Sequence, residues 1–111
     1  METNRTITRQ ELSSLVRRPG VLLFEALSEA QWASGHLPGA VAMPLERIAE
    51  VARASAPDTS APIVVYCASE TCRNSDIAAS KLASLGYASV RVYRGGKADW
   101  KSAGLALEVA R

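Results

Sequence analysis

Ile63-Val64-Val65-Tyr66, preceded by Pro62, is an unbroken apolar run in which apolar and polar side chains do not alternate. A strand with one wet face alternates with a period of two. An unbroken run therefore belongs to a strand covered on both faces, as in a parallel sheet packed between helices. Val21-Leu22-Leu23-Phe24 is a second such run, Ser89 to Tyr93 is another β-type stretch, and Ala40-Val41-Ala42 makes a brief strand.

Helical signals fall between these runs. Thr8 and Glu11 have capping-box spacing, which starts a helix after Thr8 that runs to Val16 and stops before Pro19-Gly20. Ser28 with Gln31 repeats the pattern, giving a short helix through Trp32 that Gly35 ends. Leu45, Ile48, Ala49 and Ala52 recur at helical spacing, and Ala54 to Pro62 reads as a surface loop. Ser75 to Leu85 places Ile77, Ala78, Leu82 and Leu85 on one side, with Gly86 at the C-cap; Lys97 to Ala103 forms a last short helix before Gly104. Strands alternating with helices in this way predict an α/β fold, a small parallel sheet flanked by helices on both faces.

With 111 residues, 48% of them hydrophobic, the chain is of a size to build one core, so residues 1–111 are expected to form a single domain. The 13 basic and 11 acidic side chains are scattered, leaving a net charge of +2 and no polybasic block for nucleic acid or an anionic membrane. No apolar run approaches the roughly 20 residues that span a bilayer, and Met1-Glu2-Thr3-Asn4-Arg5 leads into no signal-peptide core. The expectation is a cytoplasmic monomer. Cys67 and Cys72 are the only cysteines, too few for a disulfide framework, and a local pair of this kind reads as catalytic, redox-active or metal-binding.

Cys67-Ala68-Ser69-Glu70-Thr71-Cys72-Arg73-Asn74-Ser75 joins the strongest strand to the longest helix. Ligands of open α/β sheets bind beyond the carboxyl ends of strands. A tight loop entering a helix turns backbone N–H groups inward, and the helix N-terminus adds partial positive charge, so an anion is favoured at its centre. Cys67 at the loop's first position would gain from those donors as a thiolate with a lowered pKa, and the same donors would hold the outer sulfur of a persulfide. Simple burial as a small apolar side chain is the competing reading of its position.

Three motifs carry a resemblance. Gly35-His36-Leu37-Pro38-Gly39-Ala40 resembles the Gly-His-Ile-Pro-Gly-Ala signature of rhodanese-like domains, and Tyr66-Cys67 resembles the Tyr-Cys that opens their active-site loop. Gly95-Gly96-Lys97-Ala98-Asp99-Trp100-Lys101-Ser102-Ala103-Gly104-Leu105 is similar to their Gly-Gly-x-x-x-Trp-x-x-Ala-Gly-Leu ending. The resemblance implies a rhodanese-like sulfurtransferase. Cys67 would take sulfur from a small donor, thiosulfate or a persulfide, and pass it to cyanide, glutathione or a protein thiol, with Ala68, Ser69, Glu70, Thr71, Cys72 and Arg73 forming the substrate-binding loop and no metal or organic cofactor. Two departures stand out. Glu25-Ala26-Leu27 replaces the family's Asp-Val-Arg, keeping a carboxylate and losing an arginine, and the loop is longer than the common Cys-x-x-Gly-x-Arg-Ser.

Cys67 and Arg73 also fit a Cys-x5-Arg spacing, in which an arginine grips phosphate while the thiolate attacks phosphorus. Phosphatase or arsenate reductase chemistry is the alternative, although such phosphatases place His where this chain has Tyr66. A non-catalytic binding module on the same fold is the third reading. Cys72 either resolves an oxidised Cys67 as an intraloop disulfide or packs idly at the loop edge. Zinc lacks a fourth ligand, since Cys67, Cys72 and His36 give at most three. His36 is expected in a structural turn, and Trp32 and Trp100 in structural positions. Ser69, Thr71 and Ser75 offer hydroxyls to a sulfur anion, and Ser75 or Asn74 is expected to cap the helix.

Overall fold

The computed structural model describes residues 5–16 and 18–110; the first four residues of the expected signal-free N-terminus lie outside them. Five strands pair side by side and all parallel: β1 (Arg5–Thr6), β2 (Leu22–Glu25), β3 (Val41–Ala42), β4 (Ile63–Tyr66) and β5 (Val90–Tyr93), in the order β1-β5-β4-β2-β3. The helices are α1 (Arg9–Leu15), α2 (Glu29–Ser34), α3 (Ile48–Ser55), α4 (Asn74–Ser84) and α5 (Gly96–Ser102), and a 3-10 turn (Leu45–Arg47) leads into α3.

The central strand β4 shows why its run is unbroken. Ile63 and Val65 enter one core with Phe24, Val92, Ile48, Ala52, Ala78 and Leu82, beneath α3 and α4. Val64 and Tyr66 enter a second core on the opposite face, with Leu12 of α1 and Trp100 of α5. Each fully buried side chain of this size contributes roughly 1.5–3 kcal/mol. The sheet is thus held between two helical layers, as the apolar runs predict.

Both capping boxes form. Thr8 accepts from Glu11 N–H while Glu11 reaches back to Thr8 N–H, and Ser28 and Gln31 do the same. Three details differ from the sequence expectation. The two-residue β1 has no apolar run to announce it and exists by pairing with Arg91 and Val92 of β5. The stretch expected to be one helix from Leu45 to Ala52 opens as the 3-10 turn and continues to Ser55, because Ala54 and Ser55 extend the last turn, shortening the expected loop. The expected cap of α4 is absent as well. Arg73 occupies the N-cap without a side-chain hydrogen bond, Asn74 donates instead to Ala26 O at 3.0 Å, and Ser75 is drawn to Cys67. No helix among the described residues is long and apolar enough to cross a membrane.

Candidate active site

β4 ends at Tyr66, and the chain turns into the loop Cys67–Arg73 at the carboxyl edge of the sheet. Cys67 is buried, and its thiol has two acceptors at 3.4 Å, Cys72 O and Ser75 Oγ. Ser75 lies in the first turn of α4 and is itself buried. Burial pushes the Cys67 thiol above its ordinary pKa, as does its interaction with Cys72, while the hydroxyl and N–H of Ser75 pull the other way without prevailing. The lowered pKa expected for Cys67 is therefore not found in the reduced loop. Desolvation of a charge in a closed site outweighs two donors.

The inward N–H groups serve the other thiol. Half-burial raises the Cys72 pKa, but a hydrogen bond from Cys67 and the N–H groups of Ala68 and Asn74 lower it further, so the net shift is downward. A turn closed by Cys72 N–H to Ser69 O, 3.0 Å, folds the loop back toward Cys67. Ser69 and Thr71 share a hydrogen bond of 3.1 Å at the rim. Glu70 is exposed and, with Ser69, Ala98 and Asp99, lines a cleft of about 360 Å³ between the loop and α5. Arg73 points outward. Its side chain is 77% exposed, with Asp76 at 3.5 Å.

A different arginine bears on the loop. Arg94, just beyond β5, holds both carboxylate oxygens of Asp76, at 2.8 and 2.9 Å, and the Cys67 thiolate contributes to the upward shift of its pKa, after Asp76 itself. That hydrogen bond from Arg94 holds the Asp76 carboxyl below its ordinary range. Neither residue carried a motif signal. Asp76 stands in the first turn of α4, next to the loop, whereas only the return of β5 beside β4 brings Arg94 there.

The loop's base is fixed by α5. Lys97 N–H donates to Cys67 O at 3.1 Å and Ala98 N–H to Ala68 O at 2.9 Å. Gly96 makes this approach possible: its φ is +63°, and a Cβ there would collide with Cys67 O and stand 2.9 Å from Ser69 N. The Lys97 side chain meets the fully buried Glu25, Nζ to Oε2 at 3.0 Å, and also donates to Gln31 O at 2.7 Å. Tyr66 donates to Glu25 Oε1 at 2.6 Å and accepts from Leu37 N–H at 3.0 Å. Burial, and then Glu25, push the Tyr66 phenol far above its ordinary pKa. The carboxylate noted in the Glu25-Ala26-Leu27 departure thus ties β2, β4 and α5 together behind the loop, and Leu27 is buried.

His36 and the tryptophans take structural positions. His36 exchanges backbone hydrogen bonds of 2.8 Å with Glu108, its Nδ1 lies 2.8 Å from Trp32 O, and its ring stacks on Trp32 at 4.3 Å. Trp100 is buried and donates to Ala106 O at 3.0 Å.

A family model, that of the Rhodanese-like domain, matches residues 8–103. No curated protein matches the sequence. Among solved structures, the rhodanese-like domain of the Alr3790 protein from Anabaena sp. is 31% identical over 88% of this chain and 95% of that one, with a TM-score of 0.74. Thiosulfate sulfurtransferase from Pseudomonas aeruginosa is 25% identical, with a TM-score of 0.83; the match covers 97% of this chain and 21% of that longer one. A rhodanese with anions from E. coli is 28% identical over 71% of this chain and 89% of that chain, with a TM-score of 0.63. The parallel sheet between two helical layers, the cysteine loop at its carboxyl edge and the matched family model lead to one assignment: the chain belongs to the rhodanese-like domain family.

Proposed function

We propose that the protein is a sulfurtransferase in which Cys67 carries sulfane sulfur as a persulfide. The observation that carries this reading is the position of the Cys67 sulfur, at the mouth of the uncapped α4 with the Ser75 hydroxyl at 3.4 Å and the Ser75 N–H facing it. The likeness to a thiosulfate sulfurtransferase supports the same chemistry. In the first half-reaction the Cys67 thiolate attacks the outer sulfur of thiosulfate; the S–S bond of the donor breaks and sulfite leaves with its electron pair. In the second, a thiolate or cyanide attacks the outer sulfur of the persulfide, and Cys67 leaves as a thiolate. A persulfide donor follows the same course, with a thiolate leaving.

The persulfide's outer sulfur stands about 2 Å farther from the backbone than the thiol sulfur, one S–S bond length. That reach matters because Cys67 is buried, and extension carries the transferable atom beyond the thiol's own position. Arg94 supplies positive charge to an anionic donor on one side of the loop, and the N-terminus of α4 supplies it on another. Of the loop residues Ala68, Ser69, Glu70, Thr71, Cys72 and Arg73, backbone N–H groups hold the anion, and Glu70 and Arg73 stand exposed at the entrance. An outward Arg73 gives phosphoryl transfer no bidentate clamp in this conformation.

Brief incubation with thiosulfate and quenching, followed by intact mass spectrometry, tests the reading. The chain should become heavier by one sulfur, and Cys67→Ala should abolish the gain. Hydrolysis of an aryl phosphate that requires Cys67 and Arg73, in a protein that takes up no sulfur, would assign it instead to the phosphatase class.

A further inference from the structure

Sulfur transfer through a single carrier thiol leaves the second cysteine unused. Yet the loop is folded to bring the two together. The turn from Ser69 to Cys72 returns the chain toward Cys67, and the Cys67 thiol faces Cys72 O at 3.4 Å. Their surroundings differ in a useful way. Cys67 is buried, whereas Cys72 is half-buried at the rim, where the Ala68 and Asn74 N–H groups help draw its pKa down. The carrier is enclosed and its neighbour is reachable from solvent.

We propose that Cys72 is a resolving thiol: it attacks Cys67 of the persulfide, releases the outer sulfur as hydrogen sulfide and closes a Cys67–Cys72 disulfide that low-molecular-weight thiols reopen. The inference rests on the persulfide reading above. In the resolving step the Cys72 thiolate forms a bond to Cys67 Sγ, the persulfide S–S bond breaks, and the electron pair leaves on the outer sulfur as HS⁻. The sulfane sulfur is reduced and the two cysteines are oxidised. Two equivalents of a small thiol then restore both cysteines and leave as its disulfide, so thiosulfate and two thiols become sulfite, a disulfide and hydrogen sulfide.

Position and charge favour this role for Cys72. Stabilisation of its thiolate by Ala68 and Asn74 supplies the nucleophile without a separate base, and exposure at the rim lets an external thiol reach the disulfide. Direct delivery to an external acceptor competes with resolution, and acceptor concentration then decides whether the protein hands on sulfur or releases sulfide.

The test is a time course in thiosulfate without added thiol, following intact mass and free sulfide together in wild-type protein, Cys72→Ser and Cys72→Ala. Wild type should pass through a form one sulfur heavier to one lighter than the reduced chain by two hydrogens, with one sulfide released per chain and peptide mapping showing Cys67 joined to Cys72. Both variants should remain one sulfur heavier and release no sulfide until a thiol is added. A wild-type chain that keeps its extra sulfur as the variants do, or a disulfide that maps between two chains, would overturn the resolving role and leave the carrier reading intact. Absence of sulfur uptake in all three proteins would instead overturn the carrier reading, and the resolving role with it.

Discussion

Cys67 and Cys72 share a loop but not an environment, and their pKa values move in opposite directions for that reason. Because burial raises the Cys67 value, sulfur uptake from thiosulfate should climb steadily with pH across the neutral to mildly alkaline range rather than level off below neutrality. Part of that rise comes from Cys72, whose interaction favours the protonated Cys67 thiol. Cys72→Ser should therefore shift the uptake profile to lower pH, measurable by single-turnover rates in buffers of constant ionic strength. The two arginines make a second contrast. Arg94 senses the Cys67 charge, whereas Arg73 is 77% exposed and pairs loosely with Asp76. Arg94→Ala is expected to raise the KM for thiosulfate by roughly threefold to tenfold, as befits loss of one partly screened charge, and Arg73→Ala by less. Steady-state kinetics at low salt checks the order.

At the scale of elements, α5 acts as a brace for the cysteine loop. Its first N–H groups hold Cys67 O and Ala68 O, Gly96 lets the backbones approach, and Lys97 neutralises Glu25 at the ends of β2 and β4. Glu25 is fully buried, so removing Lys97 leaves a carboxylate with one hydroxyl for support. Lys97→Met should destabilise the fold by about 3–5 kcal/mol in denaturant unfolding, the usual penalty for stranding one member of a buried ion pair. Lys97→Met with Glu25→Gln should recover part of that loss, since the stranded charge is then gone. The elements themselves were largely readable in the chain: both capping boxes form as the Thr8/Glu11 and Ser28/Gln31 spacings require, and β2, β4 and β5 coincide with apolar runs to within a residue or so. The brace was not readable, because Gly95-Gly96 announces only a break and says nothing of which backbone it admits.

For the whole molecule, the consequence of the sheet is cooperativity. The two cores lie on opposite faces of the same strands, Ile63 and Val65 in one and Val64 and Tyr66 in the other, so neither core persists once β4 leaves the sheet. Urea unfolding followed by far-ultraviolet circular dichroism and by fluorescence of Trp32 and Trp100 should give coincident transitions with one midpoint. The sequence by itself determined the α/β class, the parallel sheet between helices and the placement of Cys67 at a strand end, because local periodicity, capping and burial on two faces are written along the chain. Only the tertiary structure decided which cysteine the loop's N–H groups favour as a thiolate, that Arg94 reaches the loop's edge to clamp Asp76 while Arg73 points outward, and that Glu25 is held by Tyr66 and Lys97. Those outcomes depend on residues far apart in the chain meeting at one sheet edge, where burial and partner distance, not residue type, set charge and direction.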